Sequence, residues 1–172
     1  TVGSATATPV RGDHAVVLGA SMAGLLAARV LADHSAQVTI GERDQLPQHA
    51  TPRPGVPQGR HIHLVLPRGS MAMEELFPGL LGELVEEGAP VLDSLAQIHF
   101  ETNGHVLFND PDAPGVTRPA ADGMAYEPSR PLLEAAVRAR VLALPNVDIL
   151  EESDVAGLTT NPSRTRVTGA VG

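Results

Sequence analysis

HAVVLGASMAGLLAARVLA, residues His14 to Ala32, is the stretch whose reading decides the fold. His14 to Leu18 is short, apolar and β-branched, as a buried strand is, and Gly19 ends it. Ala23, Ala27, Val30 and Leu31 then recur at the spacing of a helix laid on a sheet, and they are the predicted packing stripe. Gln37 to Ile40 (QVTI) reads as a second strand. Strand, helix and strand together span about 30 residues, the size of a crossover between parallel strands, so the fold class is α/β and Rossmann-like.

The corner between the first strand and the helix has the chemistry of a phosphate cradle. In such a corner a strand stops at a tight glycine, the backbone comes close to a pyrophosphate, and the next helix aims its N-terminus at the negative charge. Gly19 and Gly24 supply the turn and the close helix approach; Ser21 stands where the usual pattern has a middle glycine, making a GxSxxG turn. That motif alone is weak, since small residues between a strand and a helix also serve packing. Glu42 strengthens it. It lies 18 residues beyond Gly24, after the second strand, near the spacing at which a carboxylate meets a ribose diol. An acid there favours the unphosphorylated ribose of FAD or NAD over the 2′-phosphate of NADP. The competing reading, glycines that only solve packing, lacks a reason for the acid.

The whole chain sets limits. Its 172 residues, 42% hydrophobic, allow one ordinary domain. A formal charge of −8, with all 12 basic residues arginine and no basic block, argues against nucleic acid and anionic membranes as partners. No apolar run approaches the roughly 20 residues of a membrane span, and no signal layout opens the chain, so a cytoplasmic protein is expected. The absence of cysteine excludes disulfides, thiolate metal sites and cysteine nucleophiles. Residues 1–12 read as a flexible leader. The strand-like Arg166 to Val171 runs to the last residue but one, and the expectation is an incomplete domain whose remainder lies on the same polypeptide or a second chain.

Between these points, Gln45 to Gly59, with Pro47, Pro52, Pro54 and Pro57, is too proline-rich for a regular element and is predicted as a long loop. Gly69 to Gly88 reads as helix broken at Pro78 and Gly79, with Met71, Leu76, Leu80, Leu81, Leu84 and Val85 as candidate core and Glu83, Glu86 and Glu87 on a solvated face. Ala96 to Phe100 and His105 to Phe108 flank an Asn103-Gly104 turn, an inserted hairpin at about 96–108. Residues 109–123 are predicted loop. A helix from Pro131 to Leu144 carries Leu133, Val137, Val141 and Leu144 on one face. Val147 to Leu150 and Asp154 to Leu158 are predicted strands.

GASMAG, the GERD that contains Glu42 and Arg43, RPGVPQ from Arg53 to Gln58, and SRPLL from Ser129 to Leu133 together resemble FAD-dependent monooxygenases of the para-hydroxybenzoate hydroxylase type. The resemblance runs from about Ala15 to Val171 and implies the N-terminal part of a FAD-binding domain with part of a β-rich substrate region. HAVVLGASMAGLLAARVLA and RPGVPQGRHIHLV are most similar to the flavin epoxidases of polyether antibiotic biosynthesis.

The resemblance implies roles. Gly19, Ala20, Ser21, Met22, Ala23 and Gly24 would hold the pyrophosphate, Glu42 the adenosine ribose, and Arg43 and the Val155 backbone the adenine. Arg53 from the proline-rich loop and Arg130 from the late helix would reach the flavin diphosphate or ribityl chain, and Gln58 is a further cofactor-binding candidate; without the resemblance, surface ion pairing is an equal reading of both arginines. NADPH or NADH would reduce FAD, and a flavin C4a-hydroperoxide formed with O₂ would oxygenate a small substrate, an alkene of a polyketide in the narrower match. No side chain is identified as catalytic. A flavin-dependent hydroxylase, halogenase or reductase, and a non-catalytic nucleotide-binding domain, remain alternatives. His61 and His63 alternate on a predicted strand and could pair on a metal with His99 or His105, but a structural role or proximity to the flavin is favoured, and no metal is expected.

Overall fold

The computed structural model describes residues 12–92, 100–108 and 125–172. Along the chain these form β1 (Gly12–Leu18), α1 (Met22–Ala32), β2 (Ser35–Gly41), α2 (Pro67–Leu76), α3 (Leu80–Glu86), β3 (Val91–Leu92), β4 (Phe100–Thr102), β5 (His105–Phe108), β6 (Ala125–Tyr126), α4 (Arg130–Leu142), β7 (Val147–Leu150), β8 (Gly157–Thr160) and β9 (Val167–Val171). They divide into two units. One comprises the chain up to Gly59 together with Glu134–Gly172, the other Arg60–Leu133.

The first unit is built on a parallel sheet in the order β1-β2-β7. Parallel neighbours stand side by side, so register fixes which residues share a face. Val17, Ile40 and Ile149 are aligned, as are Ala15, Val38 and Val147. Val17, Val38, Ile40 and Val147 of this face are buried. The opposite face carries Val16 beside Thr39, and Leu18 beside Gly41 and Leu150. There Val16, Leu18 and Leu150 remain 46%, 51% and 55% exposed. The expectation of a wholly buried first strand is therefore corrected: β1 is buried on one face only.

The helix stripe is also corrected. In α1 the buried residues are Leu25 and Ala28, whereas Ala23 and Ala27 are exposed and Val30 is 43% exposed. Apolar side chains surround this helix, so periodicity alone does not pick the inward face. Gly24 picks it. A Cβ at Gly24 would lie 1.8 Å from the carbonyl oxygen of Gly19, and the face turned inward by that contact is the one carrying Leu25 and Ala28. At the far end of α1, Asn146 donates from Nδ2 to the carbonyls of Ala32 and Ser35 and ties the helix exit to the start of β7.

β8 and β9 form an antiparallel hairpin. The strand expected from Asp154 starts three residues later, because Ser153 to Ala156 make an irregular bend. Gln45 to Gly59 is irregular as expected, apart from a 3-10 turn begun at Pro57.

In the second unit, α2 starts two residues before the predicted helix with Pro67 in its first turn. The expected break holds: α2 ends at Leu76 and α3 begins after Gly79, whose φ of 82° is left-handed. Glu74 bridges the break, accepting from the amides of Gly79 and Leu81 at 2.6 and 3.1 Å. Leu80 and Leu84 are fully buried, but Met71 and Val85 are 50% and 42% exposed, and Phe77, unforeseen, is buried. One helical phase cannot be carried across a break that changes the axis. β3 pairs with β6, and β4 with β5 through Asn103 and Gly104, both at positive φ. Ala96 to His99 of the predicted hairpin, all of the 1–12 leader except Gly12, which opens β1, and the 109–123 loop lie outside the described residues.

Candidate functional site

β1 ends at Gly19, whose φ of 94° only glycine adopts readily and whose amide donates to the Gly41 carbonyl at 2.7 Å. Ser21 is the N-cap of α1 in extended geometry, and its hydroxyl makes no capping bond. Leu25 is the first residue whose amide bonds within the turn, to Ser21. The amides of Met22, Ala23 and Gly24 come before it and have no partner inside the helix, which makes this end an anion-favouring terminus.

Facing it, the end of β2 presents Glu42, only 4% exposed. One carboxylate oxygen, Oε2, accepts the Ala20 amide at 2.7 Å; the other, Oε1, accepts the Asp44 amide at 3.0 Å and meets Arg53 Nη1 at 3.1 Å. Burial pushes the Glu42 carboxyl up, but the Asp44 and Ala20 amides and the Arg53 guanidinium outweigh it and hold the group below the ordinary glutamate value. Asp44 behaves alike: burial raises it, and the Gly55 amide and Arg53 lower it further.

Arg53 is buried, and its surroundings differ from a surface ion pair. Nη1 binds Asp44 at 2.8 Å, Nε binds Glu134 of α4 at 2.8 Å, and Nη2 is buried with no hydrogen-bond partner. Arg138, one turn after Glu134, lies 3.8 Å from it and donates to the Pro47 carbonyl. The proline-rich loop is thus tied to the cradle and to α4 by a buried charge network. Gly55 permits it: a Cβ there would meet Asp44 Oδ2 at 2.4 Å.

Around these groups lies a cleft of about 400 Å³ lined by Gly19, Ser21, Glu42, Arg43, Arg53 and Val155, together with Ser153 and Asp154. That size is within the range of small-molecule sites. Six of the residues singled out in the sequence therefore meet in one place. Ala20 contributes its amide to Glu42, and Met22, Ala23 and Gly24 form the adjoining helix turn. Gln58 sits exposed on the 3-10 turn and is not among the lining residues. Arg130 belongs to the other unit, where its Nη1 is 3.3 Å from His63 Nε2. Burial and that arginine lower the His63 pKa, and a guanidinium so close opposes a metal ion on the same nitrogen. His61 and His63 do not lie on a strand; this stretch is irregular, with an isolated bridge between Val65 and Tyr126.

Asp44 and Glu134 were not singled out from the sequence. A signal for Glu134 was present, since Glu134 and Arg138 have the i, i+4 spacing of a helical ion pair. For Asp44 there was none: its partners Arg53 and Gly55 lie across the loop.

In fold, the chain is similar to FAD-dependent monooxygenases and a FAD-dependent halogenase. Over 95% of its length the chain superposes on 38% of PqsL, a probable FAD-dependent monooxygenase from Pseudomonas aeruginosa, with a TM-score of 0.64 and 17% identity. It matches p-nitrophenol 4-monooxygenase PnpA from Pseudomonas putida DLL-E4 over 89% of this chain and 34% of that one (TM-score 0.61, 18% identity). The myxobacterial chondrochloren halogenase CndH matches over 93% and 32% (TM-score 0.56, 20% identity). At such identities the likeness is one of fold. In sequence, the chain is 48% identical over 139 residues to Protein Rv3254 of Mycobacterium tuberculosis (strain ATCC 25618 / H37Rv), a match covering 80% of this chain and 28% of that protein. The chain thus spans less than a third of that relative. No family model matches it. Among the described residues, no helix is long and apolar enough to cross a membrane.

Proposed function

We propose that the chain is the adenosine-binding portion of a FAD-dependent monooxygenase. The observation that carries this reading is Glu42, buried and ionised, braced by the Ala20 amide beside the N-terminal turn of α1 in a cleft of suitable size. A carboxylate offers about four acceptor positions. Three are occupied, and the one left on Oε2 suits a ribose hydroxyl. The residues present fit the group: the Gly19–Gly24 corner has no room for a Cβ at Gly24, and Arg53 Nη2 is a buried donor awaiting an acceptor.

In this reading the Met22, Ala23 and Gly24 amides hold the diphosphate, Glu42 the adenosine ribose, and Arg43 and Val155 flank the adenine. Arg53 Nη2, Gln58 and Arg130 are assigned to the remainder of the dinucleotide. Bound flavin supplies electron transfer and oxygen chemistry; the protein binds and orients it and excludes water. NADPH or NADH as reductant, O₂ as co-substrate and a polyketide alkene as the substrate to be epoxidised rest on the sequence resemblance. Monooxygenases and a halogenase sharing the fold make halogenation the second reading, separated by labelled O₂: oxygen incorporation into product supports the first, chloride incorporation the second.

The first test is a spectrum. The full-length protein is expected to purify yellow, with the two visible bands of oxidised flavin, and Glu42→Ala to weaken FAD retention. A colourless protein that binds adenine nucleotides but no flavin would favour a non-catalytic nucleotide-binding domain.

A further inference from the structure

We propose that Arg53 is a positioning residue for Glu42, through which the proline-rich loop sets a preference for an adenosine ribose with a free 2′-hydroxyl. This rests on the reading of the cleft as an adenosine site. Its basis is the way the guanidinium is used. Arg53 lines the cleft, yet two of its three nitrogens are committed to three carboxylates from two segments: Glu42 and Asp44 just after β2, and Glu134 on α4. Only a rigid fork holds Nε on one acid while Nη1 holds two others; an ammonium is a point charge and cannot span them.

The consequence falls on Glu42. Arg53 and the Asp44 amide both hold Oε1, the Ala20 amide holds Oε2, and one acceptor position is left on Oε2. The discrimination falls on Glu42 itself and not on a net charge: Glu42, Asp44 and Glu134 are balanced by Arg53, Arg138 and Arg43, the last also lining the cleft. A 2′-phosphate would bring about two more negative charges to an ionised Glu42. Without Arg53 the carboxylate keeps the Ala20 and Asp44 amides but loses the charged contact on Oε1, and its neighbours Asp44 and Glu134 push it toward protonation. Arg53 therefore acts on ribose discrimination without touching the ribose.

The test compares binding of ADP-ribose and its 2′-phosphate to the flavin-free full-length protein. Wild type is expected to favour ADP-ribose by at least about tenfold, since like charges face each other in the 2′-phosphate complex. Glu42→Gln is expected to abolish most of that preference. Arg53→Met is expected to reduce the ratio to the same level, and the double variant to lower it no further. Arg53→Lys, which keeps the charge and loses the fork, should fall between wild type and Arg53→Met. A loss of affinity equal for both ligands, leaving the ratio intact, is what a contact to the diphosphate or a merely structural role gives, and it overturns the proposal. So does a double variant whose ratio falls by the product of the two single effects. Melting curves identify folded variants; if Arg53→Met does not fold, an unchanged ratio in Arg53→Lys is decisive against it. A wild-type protein that binds neither ligand removes the adenosine reading itself, an outcome distinct from a preference that ignores Arg53.

Discussion

Gly24 does the most at the scale of single residues. A side chain there would run into the backbone of Gly19, 1.8 Å from its carbonyl oxygen, and main chain yields less readily than the tip of a side chain. Gly24→Ala must either push α1 off β1 or open the corner. Overpacking in a fitted interior costs about 1–3 kcal/mol and can exceed that where backbone must move. Gly24→Ala is therefore expected to lower the unfolding free energy measured by urea titration by an amount in the upper part of that range, and to abolish FAD retention. A variant as stable and as yellow as wild type would contradict the close approach. Ser21 is a different case: the cap position tolerates a small polar residue in place of glycine because its backbone is extended, with φ −86° and ψ 179°.

Among the elements, the proline-rich loop matters most, because the charge network makes an irregular segment part of the site. Its energetics have a pH signature. Glu42 and Asp44 both titrate below their ordinary values of 4.5 and 3.8 in the fold. Carboxyls whose folded pKa is depressed give stability that is complete above the unfolded value and disappears as pH falls through the folded one. The melting temperature should accordingly drop steeply below about pH 4.5. Arg53→Met should start lower at neutral pH and lose less on acidification, because these carboxyls then no longer titrate so low. Equal slopes in the two proteins would show that the network does not hold the carboxylates ionised. His63, in the other unit, is lowered from 6.5 by burial and Arg130. Its share of stability falls from about pH 6.5 downward, since the unfolded chain takes up the proton first, and a His63→Gln control separates it. Glu134 and Arg138, one turn apart on α4, are both buried.

The whole molecule shows a sheet with two unlike faces. Parallel sheets in α/β proteins are ordinarily covered on both sides. Here Val17, Val38, Ile40 and Val147 are packed away, while Val16, Leu18 and Leu150 line an open cleft of about 350 Å³ with Ala170 and Val171. Contiguous exposed apolar surface of this kind binds hydrophobic dyes and promotes association. The 172-residue chain is expected to bind such a dye strongly, and the Val16→Ser, Leu18→Ser pair to reduce that binding with little change in melting temperature. A large fall in melting temperature would mean that this face is covered after all.

The sequence by itself determined the parallel crossover, the glycine corner and the acid beyond β2, because each follows from rules local in the chain: strand and helix periods, the freedom of glycine and a fixed spacing. It also placed the break before α3 and the Asn103-Gly104 turn for the same reason. Only the tertiary structure decided which face of α1 turns inward, since an all-round apolar helix leaves that to the contact at Gly24. It alone decided that Arg53 is shared among Glu42, Asp44 and Glu134, up to 81 residues away in sequence. Such partners meet through folding, and charge pairing across that separation leaves no period in the sequence to read.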